Sequence, residues 1–230
     1  MAAAESHSRR SDLYRCFRER SYADEFLSGK IRFGYLQHYR NNYEGARRDV
    51  DEGDSRIREW RKDRTVVKIT GSVAEIVDSP GEVNVNSQFG NPVFICCLTA
   101  PPDDKWAPVI EDFGEFVVRI SDPQRFSSDI QAALSDEDQW QRRASVELFR
   151  VEYSKDELVP TREAAQRQND AMRLAIAQKL PKYSYQFEHR IALISYAPPV
   201  SDEAEAERLP PEHLYVNIGR PLEYAALVRL

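Results

Sequence analysis

The chain is short of the residue types that most reactive sites are built from. Its 230 residues include three cysteines, four histidines, two methionines and nine glycines. Cys96 and Cys97 are adjacent and Cys16 lies far away, so there is no CxxC pair. With no Cys/His cluster and no HExxH pattern, a zinc site is not expected. Neither common Gly-rich phosphate loop occurs. No apolar run approaches the roughly 20 residues a membrane span requires. The N-terminal MAAAESHSRRSD lacks the apolar core of a signal peptide, and residues 1–11 read as a flexible tail. The few histidines give little support to a catalytic triad. His7 is in the tail, His213 is in a proline-rich stretch, and His189 reads as a core or edge residue of a strand. His38 is the remaining candidate base and has no partner nearby in sequence. These absences lead us to expect a soluble, cytoplasmic protein of a reducing compartment, with no metal and no membrane partner.

What is present is enough for a substantial core. Hydrophobic residues make up 41%, with three Trp, eleven Tyr and ten Phe. A formal charge of −6 argues against gripping nucleic acid by bulk electrostatics and leaves room for a local basic groove. One domain is expected over residues 12–230, interrupted by a charged loop at 38–64 and an exposed acidic, proline-flanked loop at 198–212.

The chain begins with a strand at 12–17 that puts Arg15 on the same face as Leu13 and Phe17, an unusual place for a charge. A helix follows, with Ser21 as its cap, Tyr22, Phe26 and Leu27 as its buried stripe and Gly29 as its stop. A strand is expected at 31–36. Residues 38–64 then read either as a solvated segment or as a lid whose Tyr39, Tyr43 and Trp60 stack on a ring. Strands are expected at 65–70, 82–86 and 92–99. The last, PVFICCLT, is apolar on both faces and is therefore expected to be central. A loop at 100–106 leads to a strand at 114–121. Asp122 and Pro123 open a helix whose core face is Phe126, Ile130, Ala133 and Leu134. A polar turn at 136–143, a strand at 146–153 and a long helix from Thr161 to Leu180 come next, with Pro181 ending the helix. Closing strands are expected at 214–219 and 223–230. The strands outnumber the helices and do not alternate with them, which favours α+β: a single domain of mixed or antiparallel sheets with a few packed helices.

The stretch KYSYQFEHRIALI (182–194) is expected to be one strand. Tyr183, Tyr185, Phe187, His189, Ile191 and Leu193 alternate on one face, and Gln186, Glu188 and Arg190 on the other. The polar triplet forms either an exposed rim or the floor of a pocket.

Three separated pieces of sequence carry a resemblance. Tyr14-Arg15 on the first strand, Thr99 at the end of Cys97-Leu98-Thr99, and Gln186-x-Glu188 on the late strand resemble the motif set of mono-ADP-ribosyltransferases. Most of the chain is also similar to an uncharacterised bacterial domain family linked to phage defence and toxin-like systems. That likeness runs through LYRCF, CLT, Trp106, Gly114 and YSYQFEHRI. Thr99 replaces the usual serine, Gln186 replaces the first acid, and YEGARRDVDEG stands where an Asn-Asp-Pro segment is usual. The resemblance implies an ADP-ribosyltransferase-like fold that takes NAD as substrate and acts on a protein or nucleic acid in antiviral defence or toxin–antitoxin conflict. A neutralising antitoxin or another defence-system component is the implied partner.

The same resemblance implies roles for the residues. Glu188 stabilises an oxocarbenium-like ribose, Gln186 holds the acceptor, and Arg15 binds the diphosphate or orients the ribose. Tyr14, Thr99, Trp106 and Tyr185 would border the dinucleotide. The strand parity of Tyr183 and Tyr185 sets them opposite Glu188 and counts against ring stacking by either. Gln-x-Glu in place of Glu-x-Glu weakens the case for an arginine acceptor. Two alternatives stand beside this reading: a non-catalytic binding or sensor module of the same fold, and a nucleic-acid processing enzyme that grips through residues 40–64.

Overall fold

The computed structural model describes residues 12–36, 39, 55–60, 82–87, 93–135, 144–153, 157–158, 176–195 and 212–230. The expected strand at 65–70, the polar turn at 136–143, most of the helix at 161–180 and nearly all of the acidic loop at 198–212 lie outside these residues, as does His38.

Eleven strands are described. They are β1 (Leu13–Phe17), β2 (Lys30–Tyr35), β3 (Ser55–Trp60), β4 (Glu82–Ser87), β5 (Val93–Thr99), β6 (Phe116–Ile120), β7 (Ala144–Arg150), β8 (Glu157–Leu158), β9 (Glu188–Ser195), β10 (His213–Asn217) and β11 (Ala225–Val228). Helices α1 (Arg20–Leu27), α2 (Trp106–Phe113) and α3 (Pro123–Ser135) lie between them. Eight strands form one open sheet in the order β10-β2-β5-β1-β6-β11, and β9 adds to β5 and carries β7. Every pairing in this sheet is antiparallel. A separate sheet, β4-β3-β8, contains the parallel pair β3–β8. The α+β expectation holds at this level.

The VFICCLT strand is central, as its two-sided apolarity requires. It pairs along its whole length with β9, from Val93–Ile194 to Thr99–Glu188. Its other edge is shared. β2 meets it at Gly34–Ile95 and Tyr35–Phe94, and β1 meets it at Tyr14–Thr99. Beyond β5 the two partners part, β2 toward β10 and β1 toward β6. The sheet therefore forks beside Cys96–Leu98, and this fork opens the cleft described below.

Alternation assigns the two faces. Phe94, Cys96, Leu98, Ile191 and Leu193 join Leu13, Phe33, Phe26, Phe126, Ile130 and Leu134 in the main core, under α1 and α3. Val93, Ile95, Ala192 and Ile194 face the other way and pack with Leu36 and Ile176. α3 forms as expected: the Asp122 carboxylate accepts from the Arg125 N–H at 3.1 Å, and Pro123 opens the helix.

Several expectations are corrected. Ser21 does not cap α1. The helix starts at Arg20, Glu19 takes the cap position and no side chain bonds there. Tyr22 is 52% exposed, and Ala23 joins Phe26 on the buried side instead. The helix does end before Gly29, which adopts φ +95. Residues 107–113, unassigned by pattern, form most of α2. Ser55–Trp60, read as part of a loop, is a strand. His213 belongs to β10 rather than to a loop.

The largest correction concerns residues 182–194. Pro181–Gln186 is a 3-10 helix, Phe187 takes a left-handed turn (φ 46, ψ 43), and the strand begins only at Glu188. Proline at the first helical position presets the turn, and the left-handed residue redirects the chain into β9. The aromatic alternation of Tyr183, Tyr185 and Phe187 belongs to this helix and turn, not to a strand.

Candidate functional site

Glu188 is the first residue of β9 and is buried, at 4% exposure. Its backbone is fixed from two sides. Its N–H donates to the Tyr153 hydroxyl at 2.7 Å, and its carbonyl accepts from Val151 N–H at 3.0 Å. The two carboxylate oxygens are held separately: Arg190 Nε donates to Oε1 at 2.8 Å, and Lys179 Nζ donates to Oε2 at 2.6 Å. Arg190 is fully buried and also donates to the Ile176 carbonyl. The triplet is a pocket floor, not a rim.

Burial by itself would push the Glu188 carboxyl up. The Arg190 guanidinium and the Lys179 ammonium, each with a hydrogen bond, outweigh it and hold the group well below the usual glutamate range. Glu188 is thus a carboxylate at neutral pH. The neighbouring Cys97 thiol is pushed well up by burial and by the adjacent Glu188 charge. Cys16 is raised to about 12 by burial. Neither thiol is a thiolate at neutral pH, which argues against cysteine nucleophiles here.

The strand register gathers the residues noted in the sequence. Tyr14 of β1 is opposite Thr99 of β5, and Thr99 is opposite Glu188 of β9. Directly opposed residues in an antiparallel sheet project to the same face, so the three form one row across three strands. Gln186 joins from the 3-10 helix. Thr99 Oγ1 donates to the Gln186 carbonyl at 2.5 Å, and Lys179 Nζ donates to Gln186 Oε1 at 2.9 Å. Tyr14, Thr99, Gln186 and Glu188 all line a cleft of about 360 Å³ at the fork.

The other expected residues lie elsewhere around this row. Arg15 lines the cleft too, but alternation turns it to the opposite face of the sheet from Glu188. Its guanidinium donates to the Arg32 carbonyl at 3.3 Å and to Cys96 Sγ, and lies 5.5 Å from the Phe17 and Phe26 ring centroids. It fastens the fork from the core side. Trp106 packs edge-on against Tyr14 with ring centroids 4.9 Å apart and is not part of the cleft lining. Tyr185 is also outside the lining and donates from its hydroxyl to Asp112 Oδ2 at 2.5 Å, joining the 3-10 helix to α2.

Sequence reasoning missed Lys179, Tyr153 and the placing of Tyr39. Tyr39 lines the cleft above Gly34, where a Cβ would come 2.4 Å from the Tyr39 hydroxyl. Nothing local marks Lys179, because its partners follow seven and nine residues later and meet it only when the 3-10 helix folds back. Tyr153 is tied to Glu188 across 35 residues. Among the described residues no group of His, Cys, Asp and Glu is arranged to hold a metal ion, and no helix is long and apolar enough to cross a membrane. Comparisons with family models, with curated proteins and with solved structures found no match to this chain.

Proposed function

We propose that the protein transfers ADP-ribose from NAD to a macromolecular acceptor, a protein or a nucleic acid, with Glu188 as the catalytic carboxylate. The observation that carries this reading is the Tyr14–Thr99–Glu188 row. Three motifs separated by at least 85 positions in sequence fall on adjacent strands and border one cleft. In this reaction the bond from ribose C1′ to the nicotinamide nitrogen breaks, and nicotinamide leaves as a neutral molecule with the bonding pair. Positive charge develops on C1′ and the ring oxygen. The acceptor then bonds to C1′ and loses a proton.

A carboxylate that is ionised, desolvated and fixed before substrate arrives suits that charge, because it need not reorganise as the charge forms. Glu188 meets these conditions. Gln186 offers an amide beside it, and Tyr14, braced by Trp106, supplies an aromatic wall. Arg15 supports the fork on this reading; it lies on the face opposite Glu188 and bonds Cys96 Sγ and the Arg32 carbonyl, so we assign it no part in holding the diphosphate. Bacterial defence or toxin–antitoxin conflict is the setting in which we place the activity, with an antitoxin or defence component as partner.

The test is transfer of label from adenylate-labelled NAD in cell lysate, with wild type beside Glu188→Ala and circular dichroism to confirm that both fold. Label on a protein or RNA band with wild type alone, undiminished by EDTA, is the expected result and identifies the acceptor class. Equal labelling by both proteins, or no labelling together with no NAD binding by calorimetry, overturns the reading. A non-catalytic binding module would then be the better account.

A further inference from the structure

We propose that Lys179 is a positioning residue of this cleft: its ammonium holds the Gln186 amide and the Glu188 carboxylate in one fixed arrangement toward the ligand. The inference deepens the transferase reading and rests on it for its catalytic meaning, while the arrangement itself stands on geometry.

The backbone at Lys179 is held before its side chain acts. Gln178 forms a bridge with Glu152, Glu152 N–H donates to the Ala177 carbonyl at 2.6 Å, and Lys179 N–H donates to the Glu152 carbonyl at 2.9 Å. The side chain then runs inward at 6% exposure, with Nζ 5.4 Å from the Tyr183 ring centroid. Burying an ammonium is costly unless it is well bonded. Here Nζ spans two members of the cleft, Gln186 Oε1 at 2.9 Å and Glu188 Oε2 at 2.6 Å.

Two consequences follow from the chemistry of the ammonium. An ammonium only donates, so the Gln186 atom facing it must be the oxygen. That fixes the amide orientation and leaves the NH₂ as the group on its other side, 3.4 Å from the Tyr185 hydroxyl. For Glu188, one oxygen is held by Arg190 from its own strand and the other by Lys179 from the preceding segment. With both oxygens bonded from different elements, rotation of the carboxylate is blocked. Pre-alignment of this kind is what a preorganised site requires.

The groups facing Glu188 are Arg190 on β9, Cys97 and Thr99 on β5, Tyr153 after β7, and Lys179, and the adjacent His189 of β9 also feels its charge. Tyr153 is raised to about 12, chiefly by burial, and stays neutral, as does Cys97. Arg190 and Lys179 are the cations bonded to the carboxylate, and removing Lys179 leaves Arg190 as the one bonded cation among the described residues.

The experiment is a pH titration of the Glu188 carboxyl carbon by NMR in the full chain. Wild type, Lys179→Met and Lys179→Arg are compared, with the signal assigned by its loss in Glu188→Gln. Lys179→Met is expected to raise the midpoint by about 1–2 pH units, and Lys179→Arg to restore most of it. Lys179→Gln replaces Lys179→Met should the latter fail to fold. The acid limb of ADP-ribosyl transfer is expected to move by the same amount, with kcat falling more than KM changes. A midpoint unchanged in the uncharged variant overturns the inference even if transfer is observed. Absence of transfer by wild type overturns the function instead, and the titration still decides the role of Lys179.

Discussion

Glu188 has its charge stabilised by two cations from different parts of the chain, and its removal or theirs has predictable effects. A buried ion pair that loses one partner leaves the other charge uncompensated, at a cost of about 3–5 kcal/mol. Arg190→Leu should destabilise the fold by less than that, as read from the denaturant midpoint, because Lys179 still pairs Glu188, although the change leaves the Ile176 carbonyl without its Arg190 bond. The pH dependence has a definite sign. The folded carboxyl lies below its unfolded value of about 4.3, so its contribution to stability is complete above that value. It is lost as pH falls toward the lowered folded value. Acid unfolding of the wild type should therefore include a Glu188-dependent part. Glu188→Gln should lose stability at pH 7 and show a shallower further loss on acidification. An acid limb of equal slope in both proteins would refute the pairing.

At the level of elements, the turn from the 3-10 helix into β9 builds the site, and the turn from α2 into β6 builds the wall behind it. Gly114 has φ +114, and a Cβ there would lie 2.2 Å from the Phe17 carbonyl oxygen, which is backbone and cannot move aside. Gly114→Ala should therefore destabilise by more than the roughly 1 kcal/mol of an ordinary helix or strand glycine exchange, as thermal unfolding would show. Asp122→Ala removes the α3 cap and should cost about 1 kcal/mol. Gly34→Ala is a different kind of probe. It pushes on the Tyr39 ring inside the cleft, so we expect NAD binding by calorimetry to change more than stability does. The α3 start was legible because its signals, Asp-Pro followed by a 3.6-residue apolar spacing, are local. The α1 cap is not legible in the sequence, because Ser21 and Glu19 lie close together and only the backbone decides which of them precedes the first turn.

For the whole molecule, α1, α3 and the sheet share one core, in which Phe126 packs edge-on against Phe26 and at a tilt against Tyr224. Phe126→Ala should cost about 3–5 kcal/mol. Deleting residues 222–230 removes Leu222 and Tyr224 from that core and uncovers the β6 edge, so aggregation on refolding is the expected outcome, measured by light scattering. The chain by itself determined the α+β class, the central place of VFICCLT and the burial of its inner face. Those follow from apolar alternation and strand propensity, which act over a few residues. It also marked Tyr14, Thr99, Gln186 and Glu188, because side-chain chemistry is visible in a motif. Only the tertiary structure decided that Tyr14, Thr99 and Glu188 form one row, that Arg15 faces the other way, and that Lys179 closes the site. Those depend on register, on a left-handed turn at Phe187 and on a fork in the sheet, all set by long-range packing that leaves no periodic trace in the residues it joins.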